Sequence, residues 1–156
     1  MNARILIVDD HEVVREGLRT LMAKFRPKWE ICGEASDGQE GVRATQTLAP
    51  DVVLLDVTMP KMNGLAACSE MRKMGITVPV LMFTMHDSSH LATEAKSAGA
   101  QGYVVKGEAA RQLVEAIDTL LAGGTFFGGS DAPKPKAAKG PNPGIVFFED
   151  LELGKT

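Results

Sequence analysis

Short runs of β-branched and aliphatic residues alternate with longer stretches whose apolar residues recur every three or four positions, and the alternation repeats between Arg4 and Leu121. That rhythm predicts successive strand–helix units packed around a parallel sheet. The first strand is expected over about Arg4 to Val8, followed by a helix from about Glu12 to Phe25 with Val13, Val14, Leu18, Leu21, Met22 and Phe25 on its apolar face. Pro27 closes that helical region. A second strand over about Glu30 to Ala35 leads through the turn sequence Ser36-Asp37-Gly38 into a helix from about Gln39 to Leu48, ended by Pro50. The third strand is the run Val52-Val53-Leu54-Leu55 with Asp56 at its end. After Asn63-Gly64 a helix is expected from about Leu65 to Lys73, with Leu65, Cys68 and Met71 on one side and Gly75 as its stop. Strand four covers Pro79 to Phe83. A polar loop from Met85 to Ser89 then precedes a short helix from about His90 to Ser97, whose small apolar surface makes it the element expected to move most easily. Strand five, Gly102 to Val105, and a helix from about Ala109 to Leu121 with Leu113, Val114, Ile117, Leu120 and Leu121 inward complete the series before Gly123-Gly124.

Composition sets the outer bounds. With 156 residues, 44% apolar and 24% charged, the chain fits one domain with a modest appendage. Residues 1–127 form the expected domain; from Gly128 to Gly144 the sequence turns to Gly, Pro, Lys and Ala, so 128–156 is expected to be a flexible linker and tail. Lys134, Lys136 and Lys139 there read as solvated linker charges, and Ile145 to Phe148 is too short to fold alone. A formal net charge of -3 gives no footing for general nucleic-acid binding. No apolar stretch approaches the ~20 residues of a spanning helix, and no basic segment leads into a signal-type core, so no membrane contact and a cytoplasmic location are expected. Cys32 and Cys68 match no metal-ligand spacing and read as structural thiols.

The chemistry sits at strand ends. In a parallel sheet every strand points its carboxyl end to the same edge, so Asp9, Asp10, Asp56, Thr84 and Lys106 converge without being near in sequence. Three neighbouring carboxylates repel one another unless a cation sits among them, and oxygen ligands with room for water and phosphate suit Mg²⁺. Asp56 can then stay ionised and attack a phosphoryl group, forming an acyl phosphate. Lys106 supplies a second cation, and the Thr84 hydroxyl a hydrogen bond to a phosphoryl oxygen. Each residue also has a plainer reading. Asp10 could cap the first helix while Asp9 stays solvated, Tyr103 could be core packing, and His11 and His86 could be surface groups.

The set Asp9-Asp10, Asp56 in Asp-Val-Thr-Met-Pro with Gly64 downstream, Thr84, Tyr103 and Lys106 resembles the receiver domain of bacterial two-component response regulators, the CheY-like family, over about Asn2 to Phe127. The segments Val8 to Leu18 and Gly102 to Gly107 resemble more particularly the NarL/FixJ-type regulators, which usually continue into a LuxR-type helix-turn-helix that is not found here. The resemblance implies a flavodoxin-like (βα)5 fold, doubly wound, with a five-stranded parallel sheet in the order 2-1-3-4-5. It implies that Asp10, Asp56 and the Thr58 backbone carbonyl hold Mg²⁺, with Asp9 assisting through water. Phosphorylation would draw the Thr84 hydroxyl inward, Tyr103 would follow, and the surface near the fourth helix and fifth strand would read the change. Thr58 and His86 occupy positions that tune phosphoryl lifetime in the family. Gly107 follows Lys106 where many receivers have Pro, so a cis peptide is not assumed there.

The function so implied is that of a phosphorelay module with a sensor histidine kinase or phosphotransfer protein as donor, a downstream protein effector, and a phosphorylation-dependent homodimer as one form of output. Direct nucleic-acid binding is not expected. Such a domain phosphorylates and dephosphorylates itself rather than turning over a substrate. Two alternatives use the same residues: a receiver remnant of a truncated LuxR-type transcription factor, or a phosphatase of the haloacid-dehalogenase type. The phosphatase needs its nucleophile first in the chain and a second Asp two residues later, where Thr58 stands.

Overall fold

The computed structural model describes residues 2–84, 89–105 and 110–127; His86, Lys106 and the 128–156 tail lie outside them. Along the chain the elements are β1 (Arg4–Val8), α1 (Glu12–Phe25), β2 (Glu30–Ala35), α2 (Gly38–Leu48), β3 (Val52–Asp56), α3 (Gly64–Lys73), β4 (Val80–Thr84), α4 (Ser89–Ala98), β5 (Gly102–Val105), α5 (Ala110–Leu121) and β6 (Phe126–Phe127). The strands form one parallel sheet in the order β2-β1-β3-β4-β5-β6. The expected order of the first five is present, with a sixth strand added at the edge. Phe126 and Phe127 pair with Gly102 and Tyr103, and two residues are too few for any periodicity to announce them.

The pleat sorts the apolar residues onto two faces. Leu6, Val8, Val53, Leu55, Val80, Met82 and Tyr103 pack with Val42 of α2, Ala67, Cys68 and Met71 of α3, and Ala95 of α4. The alternate positions Ile5, Ile7, Val52, Leu54, Leu81, Phe83 and Val104 pack with Leu18 and Met22 of α1 and with Leu113, Ile117 and Leu120 of α5. With both faces covered, β3 and β4 are buried at every position, which is why their sequences read as continuous apolar runs. Burial pushes the thiols of Cys32 and Cys68 up, which favours the protonated thiol.

Two positions of the expected α1 face lie outside the core: Phe25 is half-buried and packs with neither cluster, and Val13 is on the surface. Val13 is 79% exposed, whereas Leu18 and Met22 are buried and Val14 and Leu21 pack beside them. Positions 14, 18, 21 and 22 form the stripe that faces the sheet, and Val13 lies one residue, about 100°, to the side of Val14. Its apolar character reflects no packing partner on that stripe.

Two close approaches hold the loop between β3 and α3 against its neighbours. A Cβ at Gly64 would lie 2.1 Å from the Asp56 carbonyl oxygen, and one at Gly38 would lie 2.1 Å from the carbonyl oxygen of Met62. Asn63 starts α3 by accepting the Ala66 N–H at 2.8 Å, and Asp37 starts α2 by accepting the Glu40 N–H at 2.8 Å. Arg72 ties the far end of α3 to the α4–β5 connection, donating to the carbonyls of Ile76 and Gly99 and to the Gln101 side chain.

Two predictions follow from this packing and are read by urea denaturation. Val13→Gln should change stability by less than about 0.5 kcal/mol, while Leu18→Ala should cost about 2–5 kcal/mol. Gly64→Ala should cost about 1–3 kcal/mol because backbone, not a yielding side chain, occupies the space its methyl needs.

Candidate functional site

Register sets the site. Val8 pairs with Leu55, so Asp9 and Asp56 leave the sheet at the same level, each continuing the alternate positions of the α1/α5 face. Asp56 pairs with Phe83, which places Thr84 one residue beyond it on the neighbouring strand. These polar ends are buried: Asp9 is 1%, Asp56 4% and Thr84 2% exposed. Asp10 follows in the loop, and one ligand-type atom from each of Asp9, Asp10, His11 and Asp56 lies within 4.8 Å of all the others.

The first turn of α1 discriminates between the readings of the acidic pair. His11 is the N-cap of α1 and its side chain makes no capping bond, while its N–H is taken by Asp9 Oδ1 at 2.8 Å. Asp9 is therefore the buried partner of the helix start, where the helix dipole favours negative charge, and is not solvated. Asp10 caps nothing. Its Oδ1 is shut off from solvent and accepts no hydrogen bond among the described residues, although His11 Nδ1 lies 3.2 Å away. His11 is exposed, as a surface group would be, yet its ring also sits 3.3 Å from Asp9 Oδ1.

A buried carboxylate oxygen without a hydrogen bond is costly, and neighbouring carboxylates add repulsion. A hard cation with oxygen ligands removes both penalties at once. The cluster thus has the donor set to hold a metal ion. The β3–α3 loop borders it: Val57 and Met59 are buried, Thr58 between them is exposed, and Gly64 N–H donates to the Val57 carbonyl at 2.8 Å. Lys61 takes a left-handed backbone at φ 68° and brings its Nζ to 3.8 Å from Asp37 Oδ2.

Tyr103 lies on the other face of the sheet, 2% exposed, within the core that includes Met82 and Ala95. It pairs with Met82 while Thr84 pairs with Val105, so Thr84 and Tyr103 share that face two positions apart in register. Lys96 of α4 stands over the ring of Phe127, the residue opposite Tyr103 on β6, at 4.8 Å. Of the residues singled out from the sequence, the structure brings Asp9, Asp10 and Asp56 together, sets Thr84 at the same edge and Thr58 in the bordering loop, and buries Tyr103. Lys106 and His86 fall outside the described residues.

Sequence reasoning passed over Arg15 and Glu34. Arg15 Nη1 donates to the Asp9 carbonyl at 2.5 Å and its Nε to Glu34 Oε1 at 2.9 Å; Arg19 also pairs with Glu34. On a helix read by periodicity, an arginine off the apolar stripe looks like a solvated charge. Nothing short of the fold shows that it turns back to β1.

Comparison with known proteins agrees with this geometry. Residues 5–118 match the family described as the response regulator receiver domain. The chain is 34% identical over 124 residues to the transcriptional regulatory protein DegU of Brevibacillus brevis, covering 80% of this chain and 52% of that protein. It is 37% identical over 123 residues to the response regulator UvrY of Escherichia coli K12, covering 79% of this chain and 56% of that one. The chain thus spans about half the length of these curated relatives. A crystal structure of a two-component response regulator of the LuxR family from Aurantimonas sp. SI85-9A1 superposes with a TM-score of 0.77 at 35% identity, covering 99% of this chain and 100% of that chain. Among the described residues no helix is long and apolar enough to cross a membrane. Fold, acid cluster and relatives agree that the chain belongs to the response regulator receiver domains of two-component systems.

Proposed function

We propose that Asp56 accepts a phosphoryl group from a histidine kinase or phosphotransfer protein in a Mg²⁺-dependent step, and that the phosphorylated chain changes its contact with a partner protein. The observation that carries this reading is the meeting of Asp9, Asp10 and Asp56 at one sheet edge, with a buried Asp10 oxygen left without a hydrogen bond. Asp10, Asp56 and the Thr58 carbonyl would hold the ion, and Asp9 would reach it through water. Bound there, Mg²⁺ supplies charge neutralisation at the phosphoryl oxygens.

The chain's own residues do the rest. An Asp56 carboxylate oxygen attacks phosphorus, the new P–O bond makes an acyl phosphate, and the bond to the donor nitrogen breaks with its electron pair leaving on the donor. Burial of Asp56 at 4% exposure limits the water that could compete for phosphorus or hydrolyse the product. The Thr84 hydroxyl donates to a phosphoryl oxygen and Lys106 pairs with the added charge. Thr58 and His86 set how readily water reaches the acyl phosphate.

Readout passes to the opposite face. Thr84 and Tyr103 share the face on which α4 packs, so a shift of the Thr84 hydroxyl toward phosphate changes what the ring packs against. Tyr103 is already buried, so the change required is a repacking within the α4–β5 face, not the entry of a ring from solvent. A protein effector or a second copy of the chain would recognise that face. The printed names of the relatives, a transcriptional regulatory protein and a response regulator, support a role in signalling.

Incubation with a small acyl or amido phosphate and Mg²⁺ should label the wild type and leave Asp56→Asn unlabelled; equal labelling of both would show that Asp56 is not the acceptor. Metal binding should also appear as stability. Mg²⁺ at 100 times its Kd should stabilise the wild type by about 2.7 kcal/mol. In thermal melts Asp10→Asn should lose most of that gain and, with one fewer repelling carboxylate, should melt no lower than the wild type in chelator. A full Mg²⁺ response in Asp10→Asn would remove Asp10 from the ligand set.

A further inference from the structure

We infer that Arg15 is a positioning residue for the metal-holding end of β1: its guanidinium fixes the peptide between Asp9 and Asp10 and so aims the Asp10 carboxylate at Asp56. The inference rests on the Mg²⁺ reading above.

An arginine on a surface helix ordinarily lays its stem along the protein and leaves its head in water. Arg15 does not, since its side chain is 16% exposed and its head turns inward. Nη1 donates to the Asp9 carbonyl at 2.5 Å and Nε to Glu34 Oε1 at 2.9 Å. That carbonyl belongs to the planar peptide unit that ends at Asp10 Cα, so holding the oxygen fixes the direction in which Asp10 leaves the strand. Asp9 is held on its other side as well. Its N–H donates to the Ala35 carbonyl at 3.0 Å and its Oδ1 accepts the His11 N–H at 2.8 Å. The Asp10 carboxylate, by contrast, has an oxygen with no hydrogen bond among the described residues and only the exposed His11 ring 3.2 Å away, so the backbone does most to hold its place.

The contact supplies geometry more than charge. Glu34 neutralises the guanidinium directly, while Arg19 pairs with the other oxygen of Glu34 from the next turn of α1. The rigid fork serves a carbonyl and a carboxylate at once, which a lysine ammonium on its flexible stem reproduces poorly. Groups that orient metal ligands without touching the metal typically contribute ten- to a hundredfold in affinity.

The test is Mg²⁺ titration of the full chain by calorimetry, with the rate of phosphorylation by a small phosphodonor measured against Mg²⁺ concentration. Arg15→Lys should raise the Mg²⁺ Kd by about tenfold while the phosphorylation rate at saturating Mg²⁺ recovers toward the wild type. Arg19→Gln breaks a pair to the same Glu34 but leaves the Asp9 carbonyl bond, and should bind Mg²⁺ as the wild type does. Should Arg15→Lys fail to fold, Glu34→Gln, which removes the brace alone, should raise the Kd by a smaller factor, and an unchanged Kd there overturns the inference. It is likewise overturned if Arg15→Lys binds Mg²⁺ as tightly as the wild type, or if Arg19→Gln loses as much as Arg15→Lys. Those results leave the Mg²⁺ reading standing, whereas a wild type that takes up no Mg²⁺ removes that reading and this one together.

Discussion

Three carboxylates held in one small space repel one another, and that repulsion is the constraint on which the rest of this receiver turns. Asp9, Asp10 and Asp56 have ligand atoms within 4.8 Å of one another at the end of the sheet, and Asp9 and Asp56 are buried there, where little water can screen them. A fold left to minimise its own energy would spread them apart. Here the parallel pairing of β1 with β3 brings Asp9 and Asp56 to one level, and the Arg15 and Ala35 contacts hold the backbone of Asp9. A cation among the carboxylates would relieve that repulsion, and the acidic cluster has the donor set to hold one.

The pleat then divides the labour. Asp9 and Asp56 continue the residues that face α1 and α5, while Thr84 and Tyr103 continue those that face α2, α3 and α4. Chemistry on one side of the sheet can therefore reach packing on the other only at the edge, where Thr84 stands one residue beyond Asp56 on the next strand. β6 extends that second side: Phe127 lies beside Tyr103 and beneath Lys96 of α4. The last described residue before the tail is thus in contact with both elements of the proposed readout face.

How much of this was legible in the sequence depends on how local each cause is. The strands β3 and β4 were plain because their burial on both faces leaves uninterrupted apolar runs, and Asp56 was plain because it ends one of them. Asp9, Asp10 and Thr84 followed from the rule that parallel strands share an edge. Val13 is apolar without being buried, because it sits about 100° around the helix from Val14, off the stripe of Val14, Leu18, Leu21 and Met22. β6 was invisible at two residues. Arg15 and Glu34 could not be paired in advance, since their contact depends on how α1 crosses β2, and no spacing along the chain encodes that crossing. That the Asp10 Oδ1 caps no helix and is left without a hydrogen bond likewise depends on packing that no local spacing encodes.

The central claim is that Asp56 carries the phosphoryl group, and an acyl phosphate can be trapped where it forms. After phosphorylation in the presence of Mg²⁺, borohydride reduction converts the modified aspartate to homoserine, and peptide mass mapping locates it. The account predicts conversion at residue 56 and at neither Asp9 nor Asp10. Conversion at one of those two, or none in a chain that has taken up label, would contradict it.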